Sequence, residues 1–240
     1  VKKFEEAGVP VWGEIELAYN YDKGRIIAIT GTNGKTTTTA LVGQIVKAYN
    51  EQTYVVGNIG NSYTGEVLKT SENSYTVAEI SSFQLETVHR FHPVVSAILN
   101  ITQDHLNRHH TMECYAHTKE RIAENQTKDD VCVLNMEDEE LYRFGSECKA
   151  SVVWFSSKRK PDKGAYLDGD DIRYTDGTQD KLMLNIHDMN LLGTHNYENV
   201  CAAIAMTKAV GIPDDIIIEQ VKCFKAVEHR IEYVATKKGV

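Results

Sequence analysis

The stretch IIAITGTNGKTTTT, residues 26–39, gathers the residue types that handle phosphate. An apolar run at 26–29 reads as a buried strand. Gly31, Thr32, Asn33 and Gly34 then make a tight turn, because glycine tolerates backbone angles that other residues avoid. From Lys35 a helix is expected, since Leu41, Val42, Ile45, Val46 and Tyr49 fall on one side at helical spacing. The first amides of a helix lack internal partners and lie at the positive end of its dipole, so an anion there meets several N–H donors at once. Lys35 adds a mobile charge against the outer phosphates of a nucleotide. The Thr36 hydroxyl is placed to ligand Mg²⁺, with Thr37 beside it in the first turn. The pattern G-x-x-x-x-G-K-[ST] is met in part, because Ile29 stands where its first glycine belongs. The alternative is a Gly/Thr-rich turn that only caps a helix. It does not explain a lysine directly after the last glycine, nor a run of threonines, which are poor helix formers. Thr38 and Thr39 cap or pack.

Further polar groups follow apolar runs. Asn58 lies in the glycine-rich GNIGNS, Glu79 closes the run at 74–80, and Asp104 with His105 follows the run at 94–99. A carboxylate beside a polyphosphate needs neutralising, which points to Glu79 as a metal ligand; a surface acid is the plainer reading. His105 stands among Asn100, Asp104, His109 and His110, as a metal or phosphate contact or as an ordinary hydrogen-bonding group. Ser81 and Ser82 read as helix caps, one of them placed to touch metal-bound water. Lys119 lies four residues after Tyr115 and three before Ile122, on the inward face of a helix expected at 113–126. Such a lysine either snorkels to solvent or needs a charge partner or a lowered pKa. Asn196 and Asn199 straddle the start of a late helix, as a cap or as amides able to read an adenine edge. Arg230 could reach phosphate or face a surface acid.

The elements that must position these groups alternate. Strands are expected at 26–29, 53–56, 74–80, 94–99, 131–134 and 151–155. Helices are expected at 35–50, 65–68, 81–88, 113–126, 138–144, 197–210 and 213–224. Residues 1–8 and 14–19 read as helical and 9–12 as a short strand. The fold class is therefore α/β, a mostly parallel sheet with helices on both faces, whose ligands bind beyond the strands' carboxyl ends. Between 164 and 184 short alternating runs, separated by Asp-Gly turns at 168–169 and 176–177, read as small antiparallel hairpins.

The 240 residues carry a formal charge of −8 and no long basic run, so nucleic acid is an unlikely main partner. Five scattered cysteines without a C-x-x-C pair argue for a reducing compartment and against a thiolate zinc site. No apolar stretch has the length of a membrane span and no signal peptide opens the chain, which reads as cytoplasmic. Both ends look cut, so a piece of a longer polypeptide is expected.

TGTNGKTTTT, GNIG at 57–60, EISSFQLE at 79–86, LNITQDHLNRH at 99–109, YAHTKERIAENQ at 115–126, GTHNYEN at 193–199 and EHRIE at 228–232 together resemble the Mur ligases, the ATP-dependent amide-forming enzymes of bacterial peptidoglycan synthesis. The resemblance implies residues 1–20 as the tail of an N-terminal uridine-nucleotide domain and linker. It implies 21–228 as the central ATP-binding domain and 229–240 as the start of a linker to a third domain. SSFQLE points to the member that joins D-glutamate to UDP-N-acetylmuramoyl-L-alanine, in the cytoplasm and as a monomer. By the same resemblance Lys35 holds the ATP phosphates and Thr36 and Glu79 one Mg²⁺. His105 holds a second Mg²⁺, and Lys119 carries a carbamate (N6-carboxylysine) that binds metal. Asn58 and Ser81 line the muramoyl pocket with His105, Asn196 and Asn199 face adenine, and Arg230 faces phosphate. The piece alone is expected to catalyse poorly. A folylpolyglutamate synthase-like ligase and a non-catalytic nucleotide-binding module are the alternatives.

Overall fold

A computed structural model describes residues 2–225. Among these residues nine strands form one sheet: β1 (Arg25–Thr30), β2 (Thr53–Gly57), β3 (Tyr75–Glu79), β4 (Val95–Ile98), β5 (Val131–Asn135), β6 (Ser151–Ser156), β7 (Gly164–Asp168), β8 (Asp171–Thr175) and β9 (Asp180–Asn185). Their order is β2-β3-β1-β4-β5-β6-β7-β8-β9. Every pairing from β2 across to β7 is parallel, and β7-β8-β9 is an antiparallel meander. The expected fold class is thus found. The hairpins are not a separate patch, because β7 pairs in parallel with β6 and carries them on from the main sheet.

A parallel sheet covered on both faces needs strands that are apolar on both sides. Ile26 to Ile29 are all buried, and they divide by alternation between two cores. Ile27 and Ile29 face the core built with Leu41, Ile45, Val200 and Ile204. These come from α3 (Lys35–Tyr49) and α9 (Thr194–Ala209). Ile26 and Ala28 face the core built with Ile15, Leu85, Tyr115 and Ile122. Its helices include α2 (Glu14–Tyr19), α5 (Ser82–Leu85) and α7 (Met112–Glu120), and a 3₁₀ turn, Arg121–Ala123, follows α7. Fully burying a side chain such as Leu41 or Ile45 contributes about 1.5–3 kcal/mol, so α3 is anchored by its apolar stripe despite its threonines. The shorter helices are α1 (Lys2–Glu6), α4 (Tyr63–Glu66), α6 (Leu106–His109), α8 (Glu139–Glu147) and α10 (Asp214–Cys223).

Four local expectations need correction. Residues 9–12 are not a strand: Pro10 has no amide to give, and the Val11 carbonyl meets the His89 ring at 3.1 Å, not a ladder partner. The helix expected at 113–126 turns 3₁₀ after Glu120. The late helix starts at Thr194, so Asn196 lies in its first turn and Gly193 takes the cap position. In the first hairpin Asp168 pairs with Asp171, so the loop is Gly169 and Asp170. In the second, residues 176–179 connect Thr175 to its partner Asp180.

Candidate functional site

The glycine loop expected to bind phosphate leaves β1 at Thr30 and enters α3 at Lys35. Gly34 holds the turn in the left-handed region at φ 84°, and a Cβ there would lie 2.3 Å from Asn199 Oδ1. The loop is strapped by the segment that follows β4. The Asn100 carbonyl accepts from the Thr32 amide at 2.9 Å, and its side chain accepts from the Asn33 amide at 2.8 Å. The same side chain donates to the Asn33 carbonyl at 3.1 Å. The Thr102 amide donates to Thr32 Oγ1 at 3.0 Å. Lys35 folds back so that Nζ donates to the carbonyls of Gly31 and Thr32, both at 2.9 Å. Thr37, Thr38 and Thr39 are buried. Thr38 donates to Asn199 Oδ1 at 3.3 Å, and Asn199 Nδ2 reaches Asn196 Oδ1 at 3.5 Å. The amino end of α9 therefore lies against the start of α3, joining segments more than 150 residues apart.

Glu79 ends β3 directly beside β1, in register with Ile29. It is 2 % exposed. Its Oε1 accepts from Asn58 Nδ2 at 2.8 Å, while Oε2 is buried with no hydrogen-bond partner. Asn58 also donates its amide to the Glu79 carbonyl at 2.9 Å. Gly57 permits this approach, since a Cβ there would lie 2.2 Å from that carbonyl oxygen. The hydroxyls of Thr30 and Thr39 are likewise buried without partners. A buried polar atom left unmatched costs about 1–3 kcal/mol, so Glu79 Oε2 is an acceptor that the fold itself does not satisfy among the described residues.

Ser81 caps α5 in a capping box with Gln84, which commits its hydroxyl to the helix end. His105 is exposed and left-handed, at φ 50°; it pairs with Asp104 at 3.4 Å, and its ring lies 4.9 Å from that of Phe83. His109, in contrast, is buried. Its Nε2 is 3.0 Å from Ser82 Oγ, and burial lowers its pKa. Among the described residues no three His, Cys, Asp or Glu side chains gather as a metal cluster.

Lys119 is the inward lysine that the helical spacing singles out. It is 1 % exposed, its Nζ donates to the Gly31 carbonyl at 2.8 Å, and it lies 4.7 Å over the Tyr115 ring. Burial, reinforced by the nearby Lys35 charge and opposed by Asp104, brings its pKa down to about 7. Two lysines from distant segments thus donate to one loop carbonyl, that of Gly31. Arg230 lies outside the described residues. Reading the sequence missed Thr102 and the role of Tyr115, whose hydroxyl is 3.2 Å from Thr32 Oγ1. Tyr115 shares its helix face with Lys119, and that spacing was the available signal.

The chain belongs to the Mur ligase family: the family's middle-domain model matches residues 29–207. Over all 240 residues it is 83% identical to a UDP-N-acetylmuramoylalanine–D-glutamate ligase from Lachnospira eligens. It is 52% identical to one from Lachnoclostridium phytofermentans and, over a 242-residue alignment, 48% identical to one from Clostridioides difficile. All of the chain is covered, against 53% of each of these proteins, so the chain spans about half the length of the curated relatives it matches. MurF from Acinetobacter baumannii shares the fold at a TM-score of 0.69, with 18% identity over 94% of this chain and 51% of that one. A UDP-N-acetylmuramoyl-L-alanyl-D-glutamate–2,6-diaminopimelate ligase shares it at 0.71, with 20% identity over 99% and 51%. No helix among the described residues is long and apolar enough to cross a membrane.

Proposed function

We propose that the chain is the ATP-binding part of a ligase that joins D-glutamate to UDP-N-acetylmuramoyl-L-alanine in peptidoglycan precursor synthesis. The observation that carries this reading is the meeting of Lys35 and Lys119 on the Gly31 carbonyl of the phosphate loop. It occurs in a chain whose relatives bear that activity in their names. The chain divides into three parts in this proposal. Residues 1–20 are the tail of a uridine-nucleotide domain with its linker, 21–228 the ATP-binding domain, and 229–240 the start of a linker to a third domain. A monomer in the cytoplasm is the expected setting.

The loop amides and Lys35 hold the phosphates of ATP, and Asn196 and Asn199 face its adenine, with Arg230 on the phosphate side. Thr36 and Glu79 fit a Mg²⁺. A hydroxyl and a carboxylate are the hard oxygen donors it prefers, Glu79 Oε2 has no partner among the described residues, and Mg²⁺ takes much of its shell from phosphates and water. His105 and Lys119, the latter as a carbamate, are the candidates for a second Mg²⁺. A lysine with a pKa near 7 has the neutral amine that CO₂ requires. When bound, these ions neutralise charge on the phosphoryl group in transfer. Asn58, Ser81 and His105 orient the muramoyl substrate. Its L-alanyl carboxylate attacks the γ-phosphorus of ATP and ADP leaves, giving an acyl phosphate. The D-glutamate amine then attacks the acyl carbon and phosphate leaves. Lys35 Nζ turns from the Gly31 and Thr32 carbonyls to the transferred charge and neutralises it there.

A ligase assay of the full-length protein tests the reading, with D-glutamate set against L-lysine, L-alanine and diaminopimelate, and with the muramoyl acceptor set against a folate. Turnover with D-glutamate and the muramoyl acceptor alone is the expected result. Turnover on the folate acceptor would replace it with the folylpolyglutamate reading, and nucleotide binding without any turnover would leave a non-catalytic module.

A further inference from the structure

Helix α7 touches the phosphate loop at two consecutive residues, through side chains one turn apart. Lys119 Nζ donates to the Gly31 carbonyl at 2.8 Å, and the Tyr115 hydroxyl lies 3.2 Å from Thr32 Oγ1. Thr32 Oγ1 accepts from the Thr102 amide at 3.0 Å and lies 3.2 Å from the Thr102 carbonyl. The Thr32 and Tyr115 hydroxyls share one hydrogen bond in which either is able to donate, so removing the Tyr115 hydroxyl removes it in both cases. The Tyr115 ring meanwhile forms the wall under the Lys119 amine, 4.7 Å away, and is itself backed by His109 with ring centroids 5.1 Å apart. Tyr115 is 1 % exposed, so neither contact is a passing one.

We propose that Tyr115 is a positioning residue, whose hydroxyl sets the phosphate loop through Thr32 and whose ring sets the Lys119 amine. One rigid side chain then ties the place where phosphate binds to the lysine beside it, and each half of the side chain has its own task. The proposal rests on the phosphate-site reading above, and the test separates the two.

ADP is titrated by calorimetry into the full-length protein and into its Tyr115→Phe, Tyr115→Leu, Thr32→Val and Tyr115→Phe/Thr32→Val variants, and ATP turnover is measured on each. Phenylalanine keeps the ring and removes the hydroxyl. The ADP Kd and the KM for ATP are expected to rise about five- to tenfold, with kcat within about twofold. Leucine also removes the wall, and kcat is expected to fall by a further tenfold or more, to about that order. In the Thr32→Val background the Tyr115→Phe change is expected to cost nothing more, since its partner is already gone. The non-additivity of Tyr115→Phe with Thr32→Val is the readout that general loosening of the core, which the leucine cavity also produces, would not give. Unchanged ADP affinity in Tyr115→Phe overturns the proposal, as does full additivity with Thr32→Val, or equal kcat in the Phe and Leu variants. Wild-type protein that binds no ADP overturns the phosphate-site reading itself, and the proposal with it.

Discussion

Glu79 at the end of β3 and Asp180 at the start of β9 are carboxylates in opposite circumstances. Asp180 lies at the meander, about a quarter exposed, and its oxygens are met by Lys160, Arg173 and the Tyr166 hydroxyl, which hold its pKa far below the usual carboxylate range. Glu79 is buried, held on one oxygen by Asn58 and on the other by nothing among the described residues. The lysines nearby differ in the same sense. Lys160 is held charged by Asp180, with its pKa raised, whereas burial brings that of Lys119 down to about 7. The meander completes its own charges and is finished as structure. The loop end keeps polar groups buried and unmatched, which is costly in an empty fold and useful where a charged ligand arrives.

The largest effect expected from this contrast is at Lys35. Lys35→Ala should remove ATP binding to the full-length protein, a loss of about a hundredfold or more in calorimetry, whereas Lys160→Ala should leave affinity within about twofold. Unchanged affinity in the first variant would erase the distinction between the two ends. Next comes Glu79→Gln, with a loss of about a hundredfold in turnover and no loss of thermal stability, because the oxygen removed has no partner to forfeit. A large drop in melting temperature would instead make Glu79 a structural carboxylate like Asp180.

The pH dependence of stability sharpens the lysine half of the comparison. The Lys119 pKa is lower in the folded chain than in the unfolded one, so between about 7 and the ordinary lysine value the unfolded state binds more protons. Its contribution is therefore a penalty, full below pH 7 and relieved as pH rises from about 7 toward 10.5. Lys119→Met should be more stable than the parent at pH 6, and the gap should narrow on moving to pH 10, at about 1.4 kcal/mol per unit of pKa difference as an upper limit. Urea unfolding at several pH values measures this, and a gap that widens with pH would contradict it. The smallest effect belongs to Asp180→Asn, at about 0.5–1 kcal/mol of stability because its ion pairs are partly solvated, with no change in nucleotide affinity.

Much of this was legible in the linear order of residues. The apolar run at 26–29, the glycines and lysine after it, and the stripe from Leu41 to Val46 are local patterns, and they yielded β1, the loop and α3 nearly to the residue. The helix at 14–19 was found to the residue. The strand expected at 9–12 failed because strand pairing depends on a neighbour, and Val11 has a histidine ring where a ladder partner would be. Asn196 was misjudged as a cap because Gly193 allows the helix to start earlier.

The sequence alone determined which residue types stand at the strand ends and that Lys119 would face inward, because alternation and helical spacing are local properties of the chain. Only the tertiary structure decided that Asn199 packs on Gly34, that Asn100 and Thr102 strap the loop, and that Lys35 and Lys119 donate to the same carbonyl. It alone left one oxygen of Glu79 without a partner. Asn100 reaches the loop across 67 residues and Lys119 across 88, and Asn199 meets Thr38 across 161. These contacts follow from the packing of whole helices and strands, which no short window of residues contains.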